Sequence, residues 1–420
     1  MILMLETFYG GSHKAFADGY RAHSEHPIDL VTLPGERWRS RIRTGAFELW
    51  PQVREPSQYR AILATDLIDL PDFLALWRSW VRRSAPPVLL YMHETQATYP
   101  TFGARTPHGR RPRRSAEAGH PGRDAERLAA LQDIKNCLVA DRVLFNSRFH
   151  REAFLDAVRT LEVSDPELAL PDAAEQIERK SGVVYPGVEM VGEGMPVSGE
   201  LPQGRKTPGP DAVGNANQAG TPTPAPLTRP DSAARSCTPG SRPPRILWNH
   251  RWDFDKRPGH FFRAAETLAG RGLDFELVVL GEAVWQSAAI ARAREVLAGR
   301  IVHWGYAPDR DTYRRLLSDC EITVSTAIQE NFGIAIVEAV SAGCIPALPR
   351  RLSYPELIPA SYHGSVFYED DDDLVPHLEH LIRELPAVRQ ACRGLAAAMQ
   401  RYSWQQIAAE LDGELEALMP

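Results

Sequence analysis

Short apolar runs alternate with longer amphipathic stretches along this chain, and the alternation occurs twice, on either side of a proline-rich interval. In the first series "MILMLE", "IDLVTLP", "RAILATD", "PVLLYMHE" and "DRVLFNS" read as strands, and segments near 12–22, 70–82, 124–138 and 147–160 read as helices. In the second series "RILWNH", "FELVVLG", "IVHWGY", "EITVSTA", "CIPALP" and "SVFYE" are strands with helices between them. Strands buried on both faces and separated by helices fold into parallel sheets covered on either side. Two doubly wound α/β domains follow, over residues 1–190 and 245–400. A last amphipathic segment, 401–420, closes the chain. Between Pro196 and Pro244 there are 11 prolines and few large apolar residues. Such a stretch buries too little surface to offset its ordering entropy, so 191–244 is expected to be a disordered linker.

In doubly wound sheets ligands sit at the carboxyl ends of the strands, and two facing sheets make a cleft. Composition bounds what the cleft serves. The net charge of −6 excludes a global basic field. The five cysteines lack any C-x-x-C spacing, so neither a disulfide framework nor a zinc site is expected, and a reducing cytoplasm suits them. No apolar run approaches a bilayer span, and the start of the chain lacks the pattern of a signal peptide.

The stretch "ENFGIAIVEAVSAG" carries the most chemistry. Glu330 falls in a strand-to-helix turn. Glu338 falls about two turns into a helix expected from near Phe332 to Gly343. At 1.5 Å per residue the carboxylates stand roughly 12 Å apart, beyond the about 5–9.5 Å of a glycosidase pair. One elongated ligand gripped at both ends suits that spacing. The amides of Asn331, Phe332 and Gly333 near the helix start suit a diphosphate between the two carboxylates. A buried helix that happens to carry two glutamates is the competing reading, but an unpartnered charge at Glu338 would be costly there. Arg251 and Lys256 lie in the loop after the first strand of the second series, where a guanidinium fork and an ammonium would bind phosphate oxygens. Gly10 and Gly11 permit close backbone approach after the first strand, and Ser12 is placed to cap the next helix. His93 and Glu94 end another strand and would face the cleft. Arg37, Arg39, Arg41 and Arg43, with Arg105, Arg110, Arg111, Arg113 and Arg114, form two arginine-rich runs, with Trp38 and Tyr99 nearby. They suit phosphate neutralisation or base stacking as well as solubilising charge on loops. "YEDDDDL" reads as a helix N-terminus rather than a metal site.

Together these pieces resemble the retaining GT-B glycosyltransferases of family 4. The resemblance rests on Glu330 and Glu338, on Arg251 with Lys256, on Gly10 and Gly11, and on His93. It implies two Rossmann-like domains, with 1–190 on the acceptor side, 245–400 binding a nucleotide-sugar, and a closing helix that crosses back to the first domain. A narrower resemblance runs through "ETFYGGSHK", "TLPGERWRSRIRTGA", "YMHETQATYP", "CLVADRVLFNS", "ILWNHRWDFDKRP" and "QENFGIAIVEAVSAGCIPALP". These are similar to the tRNA-queuosine α-mannosyltransferase family, although Thr95 stands where the family pattern has asparagine. That resemblance implies GDP-mannose as donor, queuosine in the anticodon of aspartate tRNA as acceptor, and no cofactor or metal. It implies Glu330 on the sugar, Glu338 on the ribose, His93 opposite the sugar, and RNA contacts from the arginines, Glu94 and Tyr99. The alternatives are a related transferase with a lipid, glycan or small-metabolite acceptor, and a GT-B epimerase or nucleotide-sugar sensor.

Overall fold

The computed structural model describes residues 1–98, 121–164, 172–191, 242–281 and 288–419. Tyr99, the arginine run from Arg105 to Arg114 and most of the expected linker lie outside these. Strands β1 (Ile2–Tyr9), β2 (Ile28–Pro34), β3 (Ala61–Thr65), β4 (Val88–Met92), β5 (Arg142–Phe145) and β6 (Ser181–Val183) build one six-stranded sheet, ordered 2-1-3-4-5-6. Strands β7 (Arg245–Asn249), β8 (Glu276–Leu280), β9 (Ile301–Gly305), β10 (Ile322–Val324), β11 (Ile345–Pro349) and β12 (Phe367–Tyr368) build a second, ordered 12-11-10-7-8-9. Every pairing within the two sheets is parallel.

The strand orders locate the ligand sites. In the first sheet the chain leaves β1 on one side for β2 and returns on the other for β3. In the second it moves from β7 out to β9, then back past β7 to β10. The connections diverge between β1 and β3, and between β7 and β10. Crevices open at such switch points, at the carboxyl ends of the strands.

The helices include α1 (Gly11–His23), α2 (Trp38–Leu49), α3 (Leu70–Val81), α4 (Pro121–Val139), α5 (Arg148–Ser164), α6 (Ala173–Arg179), α7 (Pro258–Gly270), α8 (Ala288–Val296), α9 (Arg310–Ser318) and α10 (Ile334–Ser341), with further helical segments after them. Four elements differ from the sequence reading. The run "RWRSRIR" opens α2 instead of lying in a loop. Burial of Arg41, Ile42, Gly45, Ala46 and Leu49 gives that helix a 3.6-residue period that the arginines obscure. Helix α6 and the three-residue β6 were not anticipated, being too short for a periodic signal. Helix α10 starts at Ile334, because Gly333 takes φ 108° and ends the turn before it. Gly343, at φ 101°, follows its C-cap Ala342.

The closing helix, Trp404–Glu416, lies on the first sheet. Trp404, Ile407, Leu411 and Leu415 join a core with Ile2, Met4, Phe16 and Tyr20. Asp412 accepts hydrogen bonds from Tyr20 Oη and Ser24 Oγ, each at 2.6 Å. Arg142 grips Glu414 through two nitrogens, at 2.7 and 2.9 Å. The Trp404 ring fills the space above two glycines: a Cβ on Gly19 would stand 2.1 Å from it, and one on Gly187 2.2 Å. Trp404→Ala is therefore expected to cost about 3–5 kcal/mol, the range for deleting a buried large aromatic. Chemical denaturation with an unchanged m-value checks this.

Candidate active site

The second switch point holds a chain of charges. The β7 loop carries Arg251, Asp255 and Lys256, and the β10 loop carries Gln329 and Glu330. Lys256 is buried, and its ammonium donates to the Gln329 carbonyl at 2.7 Å and to Glu330 Oε2 at 3.1 Å. It also lies 3.3 Å from Asp255 Oδ2, which sits 3.8 Å from Arg251 Nη2. Arg251 extends largely into solvent. Burial works to raise the Glu330 carboxyl. The charges of Lys256 and His250, with hydrogen bonds from Lys256 and the Phe332 amide, outweigh burial and hold it below the usual range. Two loops that are distant in sequence are thus fastened by this ammonium, by the Ile328 amide donating to the Asp255 carbonyl at 2.8 Å and by Thr326 Oγ1 donating to the Lys256 carbonyl at 2.7 Å.

Glu338 lies on α10 and is also buried. It has its own partners: Arg310 donates to Oε1 at 2.7 Å and Tyr313 Oη to Oε2 at 2.6 Å. Both come from α9, whose N-cap Asp309 accepts from the Thr312 amide at 2.6 Å. The cost expected of a lone charge on this apolar helix is met by these two donors.

At the first switch point Glu6 ends the apolar part of β1, His13 lies on α1, Asp66 follows β3 and His93 follows β4. His13 Nδ1 is 3.1 Å from Glu6 Oε2, and Glu6 Oε1 accepts from the Phe8 amide at 2.7 Å. Burial disfavours a charged imidazole. The Glu6 carboxylate overcomes this and lifts His13 to about 9. The His93 ring stands 4.3 Å from that of His13, and burial followed by the His13 charge keeps it well below the usual histidine range, so it is neutral. Burial likewise lifts Asp66 to about 7. Asp66 Oδ2 accepts from the Glu94 amide at 2.9 Å, while its buried Oδ1 has no hydrogen-bond partner. Ligand atoms of Glu6, His13 and His93 lie within 4.8 Å of one another. Both Glu6 oxygens already accept hydrogen bonds, one from the Phe8 amide and one from His13.

Two contacts join the sheets beside these clusters. Asn331 Nδ2 reaches the His93 carbonyl at 3.4 Å. Glu356 accepts from the amides of Arg148 and Phe149 at the start of α5, at 2.8 and 3.0 Å, and from Tyr185 Oη at 2.8 Å.

Of the residues singled out in the sequence, the fold brings Arg251, Lys256, Asn331 and Glu330 to one crevice, with His93 and Glu94 across from them. Others differ from expectation. Ser12 does not cap α1, since the helix starts at Gly11 with Gly10 as N-cap and leaves Ser12 exposed in its first turn. The close approach at Gly10 is to Gly35, whose added Cβ would lie 2.7 Å from the Gly10 Cα. Gly11, at φ 53°, opens onto free space. The Phe332 ring is buried, 5.8 Å from Tyr185 and 5.1 Å from Tyr402, and its amide already serves Glu330. Arg41 is buried and paired with Glu48, so it is not available to RNA, whereas Arg37, Arg39 and Arg43 are exposed. Sequence reasoning missed Glu6, His13, Asp66, Asp255, Arg310 and Tyr313. One signal was present: a lone glutamate ending "MILMLE" in a strand buried on both faces demands a partner, and His13 is the nearest candidate.

Two parallel six-stranded sheets with ligand-type crevices facing each other define a glycosyltransferase of the GT-B fold. Solved structures with this architecture include Anabaena HepE in complex with UDP and glucose, with TM-score 0.60 and 13% identity over 99% of this chain and 100% of that one. Sucrose-phosphate synthase from Thermosynechococcus elongatus gives TM-score 0.64 at 13% identity over 100% and 99%. Residues 236–393 match the family model for group 1 glycosyl transferases, and residues 1–188 match that for the N-terminal part of tRNA-queuosine alpha-mannosyltransferase. The chain is a glycosyltransferase whose first half is similar to the tRNA-queuosine alpha-mannosyltransferases. The enzyme of that name from Drosophila melanogaster is 28% identical over 360 residues, 85% of this chain and 81% of its own length. A GDP-mannose-dependent phosphatidylinositol dimannoside mannosyltransferase of Mycobacterium tuberculosis is 24% identical over 179 residues, 42% of this chain and 45% of its own. No helix among the described residues is long and apolar enough to cross a membrane.

The His13–Glu6 pair has a measurable signature. A histidine whose folded pKa is raised stabilises the fold fully below its unfolded value, near 6.5, and that contribution fades as pH rises through about 9. Denaturant unfolding of the wild type and of Glu6→Gln at pH 6, 8 and 10 is expected to show the variant's deficit largest at pH 6 and smallest at pH 10.

Proposed function

We propose that this enzyme transfers mannose from GDP-mannose to the cyclopentene diol of queuosine in the anticodon of aspartate tRNA, with retention of configuration. The observation that carries the acceptor is the match of residues 1–188, the half bearing the Glu6–His13–His93 cluster, to an N-terminal family model specific to that activity. The donor reading draws on the second switch point and on two relatives named as mannosyltransferases.

In this reading the diphosphate lies against Arg251, Lys256 and the backbone near Gly333. Charge that develops on the leaving phosphate then meets fixed donors, which need no reorganisation at the moment of reaction. Lys256 is held by Glu330 and Asp255, so it is positioned before the donor arrives. Glu330 takes hydroxyls of the transferred sugar, and Glu338, aligned by Arg310 and Tyr313, takes the ribose. His93 faces the sugar from the first sheet as a neutral imidazole able to accept a hydrogen bond from a hydroxyl. The amides near Gly10 and Gly11 border the donor from the same side. Attack comes from the face that the nucleotide leaves, and the departing phosphate receives the acceptor proton, so no protein nucleophile is required. Asn331 and Glu356 hold the two sheets together, which would keep water from the activated sugar. Protein cations supply the charge that a metal would otherwise bring, and no cofactor is used. A cytoplasmic location follows from a tRNA acceptor.

The deciding experiment incubates the protein with GDP-mannose and tRNA that either contains or lacks queuosine, and reads the nucleosides by mass spectrometry. A hexose mass added to queuosine alone is the expected result, and transfer to lipid or water in its place would reject the acceptor. Glu330→Gln is expected to slow transfer by about 100-fold or more, as loss of a transition-state contact does, with GDP affinity largely unchanged by calorimetry. Activity is expected to persist after exhaustive chelation.

A further inference from the structure

Helices α2 and α3 lie side by side on the first sheet, where Trp50, just after α2, meets Phe73 and Trp77 of α3 with ring centroids 5.7 and 6.2 Å apart. The outer surface of this pair is unusual in three ways. Arg39, Arg43 and Phe47 recur every four residues along α2, so they share one face about 12 Å long, and all three are exposed. Trp80, one turn beyond Trp77, leaves 72% of its surface in water, and Phe47 leaves 56%. Arg82 and Arg83 follow Trp80 after Val81 and are also exposed. Among the described residues none of Arg39, Arg43, Arg82 and Arg83 forms an ion pair, whereas Arg41 on the inner face of α2 is paired with Glu48. An arginine series without carboxylate partners among the described residues, with Arg39 stacked 4.5 Å over the Trp38 ring and open aromatic rings nearby, suits a polyanion that also offers flat apolar faces, on a protein of net charge −6.

We infer that the outer face of α2 and α3 is a docking track for the anticodon arm of tRNA. Arg39 and Arg43 neutralise backbone phosphates, and Trp80 offers a stacking platform beyond the far end of α2. The track rests on the proposed acceptor and adds where that RNA lies. Helix α2 starts just beyond the carboxyl end of β2, the edge of the sheet that bears the crevice, and runs away from it. RNA along α2 therefore has one end at the active site and the rest on the outer wall of the first domain. A single strand or stem-loop meets the two demands together: phosphates bind arginine through charge, and bases stack on an indole. A phospholipid surface would meet only the first, because the arginines lack the continuous apolar stripe of an interfacial helix.

The test measures affinity of the full-length protein for an unmodified aspartate tRNA transcript by fluorescence anisotropy across a salt series. Arg43→Glu, Trp80→Ala and the double substitution Arg82→Ala with Arg83→Ala are compared with the wild type. These side chains are exposed, and unchanged unfolding midpoints verify the folds. Each variant is expected to weaken binding by about tenfold, and each lost arginine is expected to lower the slope of log affinity against log salt by about 1. In the transfer assay the tRNA KM should rise while the GDP-mannose KM stays constant. Variant affinities within about twofold of a tRNA-binding wild type overturn the track while leaving the acceptor intact. A wild type that binds no tRNA overturns both. Loss of binding to phosphatidylglycerol vesicles, with tRNA affinity untouched, overturns the track in favour of a lipid surface.

Discussion

One buried ammonium organises the second switch point of this enzyme. Lys256 stands between Asp255, Glu330 and the Gln329 carbonyl, and it belongs to the loop after β7 while Glu330 belongs to the loop after β10. These loops leave neighbouring strands at the point where the sheet connections diverge, and beyond Val324 the Ile328 amide donates to the Asp255 carbonyl at 2.8 Å and Thr326 Oγ1 to the Lys256 carbonyl at 2.7 Å. A buried cation with carboxylates on two sides adds to these bonds. Breaking such a pair by removing one partner costs about 3–5 kcal/mol, because the remaining charge is stranded. The same geometry that holds the loops leaves a positive group beneath the place where a diphosphate would sit. Stability and charge stabilisation therefore draw on one side chain.

Glu338 shows the same economy on a smaller scale. Carried alone on an apolar helix it would be a liability, and Arg310 and Tyr313 remove that penalty while fixing both of its oxygens. Glu330 and Glu338 share no partner in common. Their eight-residue spacing reflects two separate anchoring networks, one built from the β7 loop and one from α9. An elongated ligand bridging the two would be held at points that are each rigid without it.

The architecture was legible in the sequence wherever burial on both faces forces long apolar runs: eleven of the twelve described strands and most long helices follow from that pattern. The elements that escaped are those whose burial is masked by charge or brevity. In α2, Arg41 is buried against Glu48, so a residue type that normally marks solvent sits on the inner face. In β6 only Ser181–Val183 pair with β5, too few residues for an alternation to register. Arg251, Lys256, Glu330 and Glu338 stood out as candidates because they lie within two short motifs, whereas their partners Asp255, Arg310 and Tyr313 did not. In the cluster at the first switch point only His93 was singled out, because Glu6, His13 and Asp66 come from other segments, and only the strand order 2-1-3-4 makes them its neighbours. Ser12 was misplaced for a related reason. A glycine pair can open a helix itself, and here Gly10 takes the cap position that a serine usually fills.

The charge balance of the first switch point bears on the chemistry opposite. Glu6 fixes a positive charge on His13, and that charge, together with burial, keeps His93 neutral. A neutral imidazole can accept a hydrogen bond from an incoming hydroxyl, which an imidazolium cannot. Asp66, burdened by burial and left with one oxygen unpartnered, rests where an added hydrogen-bond donor would relieve it. The cluster is thus incomplete as it stands. Its unmet acceptors face the needs of a polyhydroxylated substrate, while the positive groups of the second switch point meet those of a phosphorylated one. Division of labour between the sheets arises from which charge each crevice has left unsatisfied.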